Sequence, residues 1–382
     1  MKILELKMEG YRNLEKSKLV FNPGINFIYG KNAQGKTNLI EAVWMFTGAR
    51  SFRGTKDLNL VNFEKENARI EGKFFFEKRD QEISVFFGGG KRKVFLNGVA
   101  KPYPTSIIGK LRVVVFSPLQ ISLISGGPEG RRKFLDAAIC QLKPTYISKV
   151  VRYNQILKNR NAVLKNIGLH ENEKTKVNQE LLEIWNEKLL ECGSEIIRER
   201  FDYLNLLKKE VSEIYKEISD QKEELDINYI CTVFKNNEQE KIELSKIKKE
   251  FEIKLKKSFI SDLKTGSTNI GPHKDDLDIF VDGKKVKFFG SQGQIRSAAL
   301  CLKLAEAEIL KKNIGEPPIV LLDDVMSELD DLRKNYMISK IKNKQVFITN
   351  CDRSFFDKLK KSDMEGKLFE IKNGKISEEI NF

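Results

Sequence analysis

The chain has little of what marks a secreted, disulfide-bonded or membrane-spanning protein. Its five cysteines are far apart and form no C-x-x-C pair. This spacing indicates neither a zinc site nor a disulfide framework, and it fits a reducing compartment. The N-terminus has no apolar stretch of the signal-peptide type, and no run of about 18 apolar residues follows anywhere. We therefore expect a cytoplasmic protein without a membrane span.

Acidic residues are outnumbered by basic ones. The 382 residues include 68 Lys and Arg against 54 Asp and Glu, which gives a formal net charge of +14. Such an excess favours a polyanionic partner, although lysine-rich proteins can also be basic without binding one. The length predicts two or three domains, and a hydrophobic content of 40% supports buried cores.

Residues 30 to 37 match the phosphate-binding pattern G-x-x-x-x-G-K-[ST]. The stretch follows an apolar run of strand character, Ile25 to Tyr29, and opens a helical pattern, which is the context that gives the motif its meaning. Backbone amides and the helix N-terminus would face the phosphates of a nucleotide, Lys36 would lie between them, and Thr37 would offer its hydroxyl to Mg²⁺. The predicted nucleotide-binding residues here are Gly30, Lys31, Asn32, Ala33, Gln34, Gly35, Lys36, Thr37 and Asn38.

A second stretch predicts the partner of Thr37 at the magnesium site. Ile319 to Leu322 is an apolar run of strand length, and Asp323 and Asp324 follow at once. A buried parallel strand that ends in a carboxylate is the Walker B pattern, in which Asp323 would hold Mg²⁺ directly or through water. Asp324 would then orient or deprotonate the attacking water.

A third stretch, Ser291-Gln292-Gly293-Gln294, leads into a helical run from Ile295 to Lys311. A Ser hydroxyl, a Gly amide and a helix N-terminus together form an anion site, although such a tetrapeptide alone is usually a helix cap. Its position one helix before the Walker B strand resembles the signature motif of ABC-type ATPases, which closes over the γ-phosphate held by the partner subunit. Met326 to Asp330 resembles the D-loop of that class. The resemblance makes Ser291 a catalytic candidate and Ser291, Gly293 and Gln294 nucleotide-binding candidates.

The pattern of strands and helices divides the chain into three segments. Residues 1–125 and 261–382 alternate short apolar strands with turn signals, including a hairpin predicted over Asp278 to Phe289. Residues 126–260 are helical and charged, with one helix predicted near Ile147 to Ile167 and a long one from Trp185 to Ile218. We predict an α/β fold: an ABC-type P-loop ATPase head of two lobes, with a mixed sheet and antiparallel hairpins, and an inserted α-helical arm domain over 126–260.

Several segments resemble the RecF family, in RecF order over nearly the whole chain. They are Leu4 to Leu14 with Tyr11-Arg12-Asn13, Gly30 to Thr37, Gly48 to Arg53, Arg131 to Asp136, Gly271 to Asp276, Ser291 to Arg296 and Leu322 to Asp330. The resemblance implies a weak, DNA-dependent ATPase of recombinational repair that uses ATP and Mg²⁺. It further implies an ATP-driven homodimer that clamps duplex DNA near single-strand gaps, promotes RecA loading with RecO and RecR, and works at the nucleoid. It adds Arg12 and Asn13 to the nucleotide-binding residues.

Three features either depart from the usual ABC pattern or can be interpreted in two ways. Gln120 fits either the glutamine of the Q-loop, which makes it a catalytic candidate, or a solvated loop amide. Asp324 stands where most ABC ATPases have glutamate, and its shorter side chain predicts slow hydrolysis. The switch histidine has no counterpart, so Thr349 and Asn350 are open to two interpretations, a γ-phosphate contact or a strand-end cap.

Basic residues in two segments are candidate DNA contacts, because DNA phosphates require Lys and Arg on one face rather than a particular sequence. Lys91, Arg92 and Lys93 lie at a predicted hairpin, and Arg152, Lys158 and Arg160 lie on the first arm helix. For each of them an ordinary solvated position is the alternative.

Other functions stand as alternatives. Another SMC-like chromosome-maintenance ATPase would have the same kind of head. The ATPase subunit of an ABC transporter is disfavoured by the helical insertion, the basic charge and the missing histidine. A nuclease-coupled ATPase would need a further metal-binding module after the D-loop, for which about fifty residues leave no room. A purely structural DNA-binding protein would have no use for Lys36, Thr37 and Asp323 together.

Overall fold

The computed structural model describes residues 1–77, 79–169, 176–234, 242–353, 355–356, 359 and 365–381. They form two compact units: Met1–Ile121 with Ala299–Phe382, which we call the head, and Ser122–Ala298, which we call the arm. The arm begins close to the predicted residue 126 but continues past the predicted residue 260 to Ala298.

The strands and helices follow one another along both units. The strands are β1 Lys2–Glu9, β2 Ser17–Val20, β3 Ile25–Tyr29, β4 Asn67–Phe76, β5 Arg79–Gly88, β6 Lys91–Leu96, β7 Val99–Lys101, β8 Val113–Phe116, β9 Leu225–Ile230, β10 Asp276–Val281, β11 Lys284–Lys285, β12 Ile319–Asp323, β13 Val346–Asn350, β14 Gly366–Lys372 and β15 Lys375–Asn381. The α-helices are α1 Lys36–Met45, α2 Ile121–Ser125, α3 Pro128–Leu142, α4 Tyr146–Leu169, α5 Lys176–Ile218, α6 Leu244–Thr265, α7 Val286–Phe289, α8 Gln292–Ile314 and α9 Asp331–Ile341.

The head contains two six-stranded sheets of different character. The first has the order β2-β1-β4-β5-β6-β7 and is antiparallel. Side chains of β4 alternate between exposed and buried, because only one face of this sheet packs on the core. The second has the order β15-β14-β3-β13-β12-β8, with every pair parallel except the edge pair of β14 and β15.

The parallel sheet determines where the chemistry lies. All five residues of β12 and of β13 are buried, as expected for strands covered on both faces. Because parallel strands share one carboxyl edge, the end of β3 at Tyr29 and the end of β12 at Asp323 face the same side of the sheet. One hydrophobic core joins both sheets through α1, with Leu39 and Val43 of the helix fully buried in it.

The arm is built on two long helices that run antiparallel. Val163 and Leu164, late in α4, pack with Leu182, early in α5. The single helix α5 confirms the long amphipathic helix predicted from Trp185, and α4 confirms the earlier one. The arm also contains the strand β9, which the sequence analysis missed. Its pairing with β10 places residues beyond 260 in the arm rather than in the head.

The predicted hairpin over Asp278 to Phe289 is partly wrong. Its first strand is present as β10, and Asp282 and Gly283 form the turn. The second strand, β11, has only two residues, after which the chain turns into the short helix α7. The predicted strand from Val286 to Phe289 is thus helical, and the Gly290 amide donates to the Val286 carbonyl at 2.9 Å, which closes the helical turn.

The family-like segment Gly271 to Asp276 joins the elements of the arm through buried polar contacts. Asp275 is fully buried and accepts hydrogen bonds from the Tyr229 hydroxyl at 2.6 Å and the Thr232 hydroxyl at 2.9 Å. Asp276 binds the Arg131 guanidinium of α3 through both oxygens, at 2.7 and 2.9 Å. Charge-assisted bidentate pairs fix geometry as well as supplying energy, so Arg131 has a structural role in the arm.

Candidate functional site

The phosphate-binding loop connects β3 to α1 in the conformation that its glycines allow. Gly35 has φ +118°, and a Cβ atom there would lie 2.8 Å from Leu14 Cδ2 and 3.0 Å from Asn13 Oδ1. A side chain is excluded both by the left-handed backbone and by this close approach. The loop therefore holds its backbone amides at the start of α1, where a helix N-terminus favours an anion.

Lys36 is folded back onto this loop. Its side-chain ammonium donates to the Gly30 carbonyl at 2.7 Å and to the Lys31 carbonyl at 3.1 Å. The residue is only 4% exposed. The ammonium is thus held by oxygens at the mouth of the loop, close to where phosphates would lie against the amides.

Thr37 and Asp323 meet across the carboxyl edge of the parallel sheet. The Thr37 hydroxyl donates to Asp323 Oδ1 at 2.9 Å, although 286 positions separate the two residues. The Thr349 hydroxyl, at the end of β13, also donates to Asp323 Oδ1 at 2.9 Å. Burial raises the pKa of the Asp323 carboxyl, and the hydrogen bonds from Thr37 and Thr349 oppose that rise. A buried carboxylate beside a hydroxyl offers two hard oxygen ligands, the kind that Mg²⁺ prefers.

Thr349 has a second contact that defines the turn after β12. Its hydroxyl oxygen accepts a hydrogen bond from the backbone amide of Asp324 at 2.9 Å. Asp324 adopts a left-handed conformation with φ +53° and begins the short 3₁₀ turn Val325–Glu328. Thr349 is therefore a cap that fixes Asp323 and Asp324 relative to one another. Whether Asn350 contacts a phosphate stays a prediction.

Arg12 lies behind the loop and pairs with a buried acid of α1. Its guanidinium donates to Glu41 through Nε at 2.9 Å and through Nη2 at 3.1 Å, and it also donates to the Thr55 hydroxyl and the Asn59 carbonyl. Glu41 is fully buried and accepts a further bond from the Ser51 hydroxyl. Arg12 thus ties α1 to two neighbouring segments, and its predicted contact with nucleotide stays a prediction.

Asn13 and Asn38 link the loop region to a second arginine. Asn38 Nδ2 donates to Asn13 Oδ1 at 2.7 Å, and Arg53 donates to Asn38 Oδ1 at 3.0 Å. Sequence reasoning assigned no role to Arg53 or Glu41. The role of Glu41 could have been suspected from the sequence, because it is an acid among the apolar residues of α1 and a buried acid requires a partner.

The hairpin of β14 and β15 supports the loop from the other side, which sequence reasoning also missed. At its turn, the Asn373 amide donates to Gln34 Oε1 at 2.5 Å, and the Gly374 amide donates to the Gln34 carbonyl at 3.1 Å. Gly30 packs against the same hairpin, where a Cβ atom would lie 2.4 Å from the Ile371 carbonyl oxygen. The loop is therefore enclosed between the Asn13 segment and this hairpin.

Gln120 follows β8, the strand that pairs with β12. It ends the 3₁₀ turn Pro118–Gln120, and its side-chain amide donates to the Val115 carbonyl. Its position after a strand neighbouring β12 is compatible with the Q-loop prediction, but the amide is engaged with the backbone. The catalytic role of Gln120 stays a prediction.

The predicted signature motif caps the long helix α8, whose first residues belong to the arm. The Ser291 hydroxyl accepts from the Gln294 amide at 3.2 Å, while Gln294 Oε1 accepts from the Ser291 amide at 2.9 Å. This reciprocal pair is a capping box. Gln294 Nε2 also donates to Glu223 at 2.8 Å. Ser291 is exposed, whereas Gly293 and Gln294 are half-buried, and their contacts with nucleotide stay predictions.

Of the six predicted DNA contacts, two have buried side chains and must be corrected, whereas the other four are exposed. Arg92 is turned inward: its side chain is 6% exposed and donates to the Ala49 carbonyl at 2.6 Å. The reason is the alternation of β6, which points Lys91 and Lys93 outward and Arg92 to the inner face. The residues that are exposed are Lys91, Lys93, Arg152 and Lys158.

Arg160 is the second correction. It is 1% exposed, and its guanidinium binds Asp262 at 2.9 Å, the Thr268 hydroxyl at 2.6 Å and Asn186 at 2.7 Å. Its place on α4 explains this, since it lies in the buried stripe that includes Ile156 and Val163 at helical spacing. Arg160 stabilises the arm and cannot contact DNA.

The fold and the site together define an ABC-type P-loop ATPase with a helical arm inserted into its head. A family model described as an AAA domain matches residues 5–259. The chain is 41% identical to DNA replication and repair protein RecF of Caldanaerobacter subterraneus subsp. tengcongensis, over 99% of this chain and 100% of that one. It is 38% identical to the RecF of Bacillus cereus, over the whole of both chains. The chain belongs to the RecF family.

Solved structures agree with this assignment. A structure of the recombination mediator protein RecF-ATPrS in the RecFOR pathway is 40% identical, covers 98% of this chain and 97% of that one, and has a TM-score of 0.88. The Smc head domain of Pyrococcus furiosus, with its extended coiled coil, has a TM-score of 0.55 at 16% identity, covering 100% of this chain and 96% of that one, and so shows the shared fold alone. Across the described residues, no helix is long and apolar enough to span a membrane.

Proposed function

We propose that this ATPase is a nucleotide-operated DNA clamp of recombinational repair. Two copies would close around ATP, hold duplex DNA near a single-strand gap, and open again after slow hydrolysis. The relatives named as replication and repair proteins, and the neighbour named as a recombination mediator of the RecFOR pathway, support this reading. Help in RecA loading, with RecO and RecR as partners, and work at the nucleoid in the cytoplasm belong to the same proposal.

One observation carries the proposal: the 2.9 Å hydrogen bond between Thr37 and Asp323. A phosphate loop alone is compatible with many functions. A loop hydroxyl within hydrogen-bond distance of a Walker B carboxylate is the arrangement that nucleotide–magnesium binding requires. Thr37 and Asp323 would hold Mg²⁺, which when bound supplies positive charge against the phosphate oxygens.

The remaining groups of the site divide between binding and hydrolysis. The amides of the loop and the ammonium of Lys36 would bind the phosphates, and the contacts of Gln34 and Asn13 would keep the loop in position. Asp324 would accept a proton from the attacking water. Its backbone amide is held by Thr349. Its side chain is one methylene shorter than that of glutamate and reaches the water less easily, which is consistent with slow turnover.

The signature motif would form the contact between the two copies of the dimer. Ser291 is exposed at the N-terminus of α8, a helix of 23 residues. A helix N-terminus with a serine cap favours an anion, and the Ser291 hydroxyl keeps its own hydrogen available while its oxygen accepts from Gln294. We place it against the γ-phosphate held by a second copy. Closure would then depend on ATP because the phosphate completes the contact.

DNA would bind to basic residues that the nucleotide does not use. The net charge of +14 favours a polyanion, and Lys91, Lys93, Arg152 and Lys158 are exposed. Such contacts recognise the backbone and not the sequence, as a clamp that acts at any gap requires.

The proposal is tested by measuring mass with light scattering, without nucleotide, with ATP, and with ATP and duplex DNA. We expect one chain without nucleotide and two chains with ATP, together with tighter DNA binding. The variant Ser291→Arg should bind ATP as a monomer, because the arginine obstructs closure. The control Ser245→Arg alters another exposed serine of the arm and should dimerise normally. A Ser291→Arg chain that dimerises normally with ATP would contradict the shared site.

A further inference from the structure

The strongest unexplained surface feature is a pair of adjacent phenylalanines on α7. Phe288 is 68% exposed and Phe289 is 72% exposed. Their ring centroids are 6.4 Å apart with an interplanar angle of 69°. Single exposed apolar residues are common, but two neighbouring aromatic rings on one short turn form a surface that is costly to leave in water.

The backbone around this pair is fixed rather than loose. Val286, at the start of the turn, is 1% exposed and anchors it in the arm. At the other end, a Cβ atom on Gly290 would lie 2.6 Å from both the Val286 carbonyl oxygen and Val286 Cγ1. The turn is therefore closed tightly over Val286, and Phe288 and Phe289 are presented outward by a well-packed support.

The residues that immediately precede the two rings in the sequence include basic side chains and no acidic ones. The stretch from Lys284 to Phe289 contains three lysines and no acid. The Lys287 ammonium lies 5.6 Å from the ring centroid of Phe288 and donates to the Gly126 carbonyl at 3.1 Å, which holds it beside the aromatic pair. Lys284 is exposed, and Lys285 is paired with Asp278 at 2.5 Å.

We propose that Phe288, Phe289 and Lys287 form a binding site for unpaired nucleotides of a DNA strand, with the rings stacking on bases and the ammonium facing a phosphate. Positive charge interleaved with exposed aromatic rings is the arrangement that binds single strands without sequence preference. In a duplex the faces of the bases are covered by their neighbours, so the rings select unpaired bases. The inference rests on the proposed function, because it names the part of a gapped DNA that this surface takes.

The geometry of the rings specifies the mode of stacking. Rings inclined at 69° cannot enclose one base between parallel faces. Each ring therefore offers its own face or edge, and the site takes one or two nucleotides. A second copy of this chain is the competing occupant. The strand is favoured over it because an ammonium held beside exposed rings matches a phosphate beside a base.

The test compares DNA affinities, in the presence of ATP, for a blunt duplex, a single strand, and a duplex with a gap of about ten nucleotides. The variant Phe288→Ala/Phe289→Ala should lose about tenfold or more in affinity for the gapped DNA and the single strand. Its affinity for the blunt duplex should stay within about twofold of wild type. The control Phe63→Ala removes a fully exposed phenylalanine of the head and should change none of the three.

Two further measurements locate and characterise the contact. A 5-iodouracil placed in the gap should crosslink to the tryptic peptide Phe288–Arg296, which contains both rings. The variant Phe288→Leu/Phe289→Leu keeps an apolar surface but removes the aromatic faces, so it should resemble the alanine variant. If leucine restores binding, the surface is a hydrophobic docking site and base stacking is wrong.

The outcomes separate this inference from the proposed function. Equal losses on duplex and gapped DNA, or no loss beyond that of Phe63→Ala, overturn base selection and leave the clamp intact. An alanine variant that no longer doubles its mass with ATP shows that the pair contacts a second copy, which also overturns the inference. A wild-type chain that binds none of the three DNAs overturns both.

Discussion

The backbone amide of Gly374 lies 3.1 Å from the carbonyl oxygen of Gln34 and donates a hydrogen bond to it. This bond fastens the turn between β14 and β15 to the phosphate-binding loop. A Cβ atom on Gly374 would lie 2.0 Å from the Asn13 carbonyl oxygen, so only glycine fits between the two segments. The loop that receives phosphates therefore depends on a hairpin that contains none of the motif residues.

Replacing Gly374 with alanine should weaken nucleotide binding without touching the motif. The methyl group must push the hairpin away from Asn13, and the loop loses its contacts at Gln34. We expect nucleotide affinity to fall by about tenfold or more, because a small displacement of the amides that face the phosphates weakens several hydrogen bonds at once. Titration calorimetry measures this loss. Gly315→Ala is the matched control, since Gly315 also has φ +80° but nothing lies within 4 Å of the added atom. Equal affinities for the two variants would show that the hairpin is not a support.

Asp323→Asn should stabilise the nucleotide-free protein while removing its response to nucleotide. Burial raises the pKa of Asp323, so its carboxylate is less favourable in the folded protein than in the unfolded chain. The neutral amide avoids that cost and still accepts from Thr37 and Thr349. We expect a higher melting temperature without ligand at pH 7.5, no further rise with ATP and Mg²⁺, and hydrolysis at least about tenfold slower. The exposed Asp80→Asn is the control and should change none of these.

His273 should make the arm sensitive to mild acid. Nε2 lies 2.9 Å from the Thr268 carbonyl and must donate to it, so Nδ1 accepts from the Tyr153 hydroxyl at 2.7 Å. Burial lowers the pKa of this neutral imidazole to about 4 from its ordinary value of 6.5. A depressed pKa gives stability that is complete above pH 6.5 and is lost as pH falls toward 4, amounting to about 3 kcal/mol.

Urea unfolding between pH 7 and pH 4 checks this expectation. Wild type should lose stability across that range more steeply than His273→Gln, whose amide does not titrate. The other histidine in the sequence, His170, lies outside the described residues. Parallel curves for wild type and His273→Gln would contradict the assignment.

Arg160→Met should destabilise the arm strongly. The substitution leaves Asp262, which is fully buried, without its guanidinium partner. Breaking one side of a buried pair costs about 3–5 kcal/mol, which urea unfolding measures directly. Lys158→Met alters an exposed residue of the same helix and should change stability by less than about 0.5 kcal/mol. If Arg160→Met unfolds like Lys158→Met, the buried network does not stabilise the arm.

The placement of the candidate site residues could be predicted from the sequence because it depends on local spacing. The loop from Gly30, the strand before Asp323 and the cap at Ser291 are each set by a few consecutive residues, and the structure places each at the end of the expected element. The long helix α5 could also be predicted, since its apolar stripe recurs at helical spacing over many turns.

What could not be predicted depends on contacts between distant segments. Thr349 was open to two interpretations until the sheet order placed β13 beside β12. Neither Glu41 nor the turn at Asn373 belongs to a motif, and their roles appear only when their partners Arg12 and Gln34 are known. Arg92 and Arg160 were misjudged because charge alone does not reveal which face of a strand or helix a residue occupies. Counting their positions along β6 and α4 would have placed both inside.

The order of strands in the parallel sheet has a consequence for how the protein is made. β3 leaves the ribosome early, yet its two neighbours in the sheet, β13 and β14, are more than 300 residues later in the chain. Domains begin to fold as they are synthesised, but the phosphate loop after β3 must wait until both neighbours have emerged. A nascent chain interrupted before Val346 would contain the whole loop sequence and still lack a working nucleotide site. Affinity for ATP should thus be acquired only after β14 has been translated.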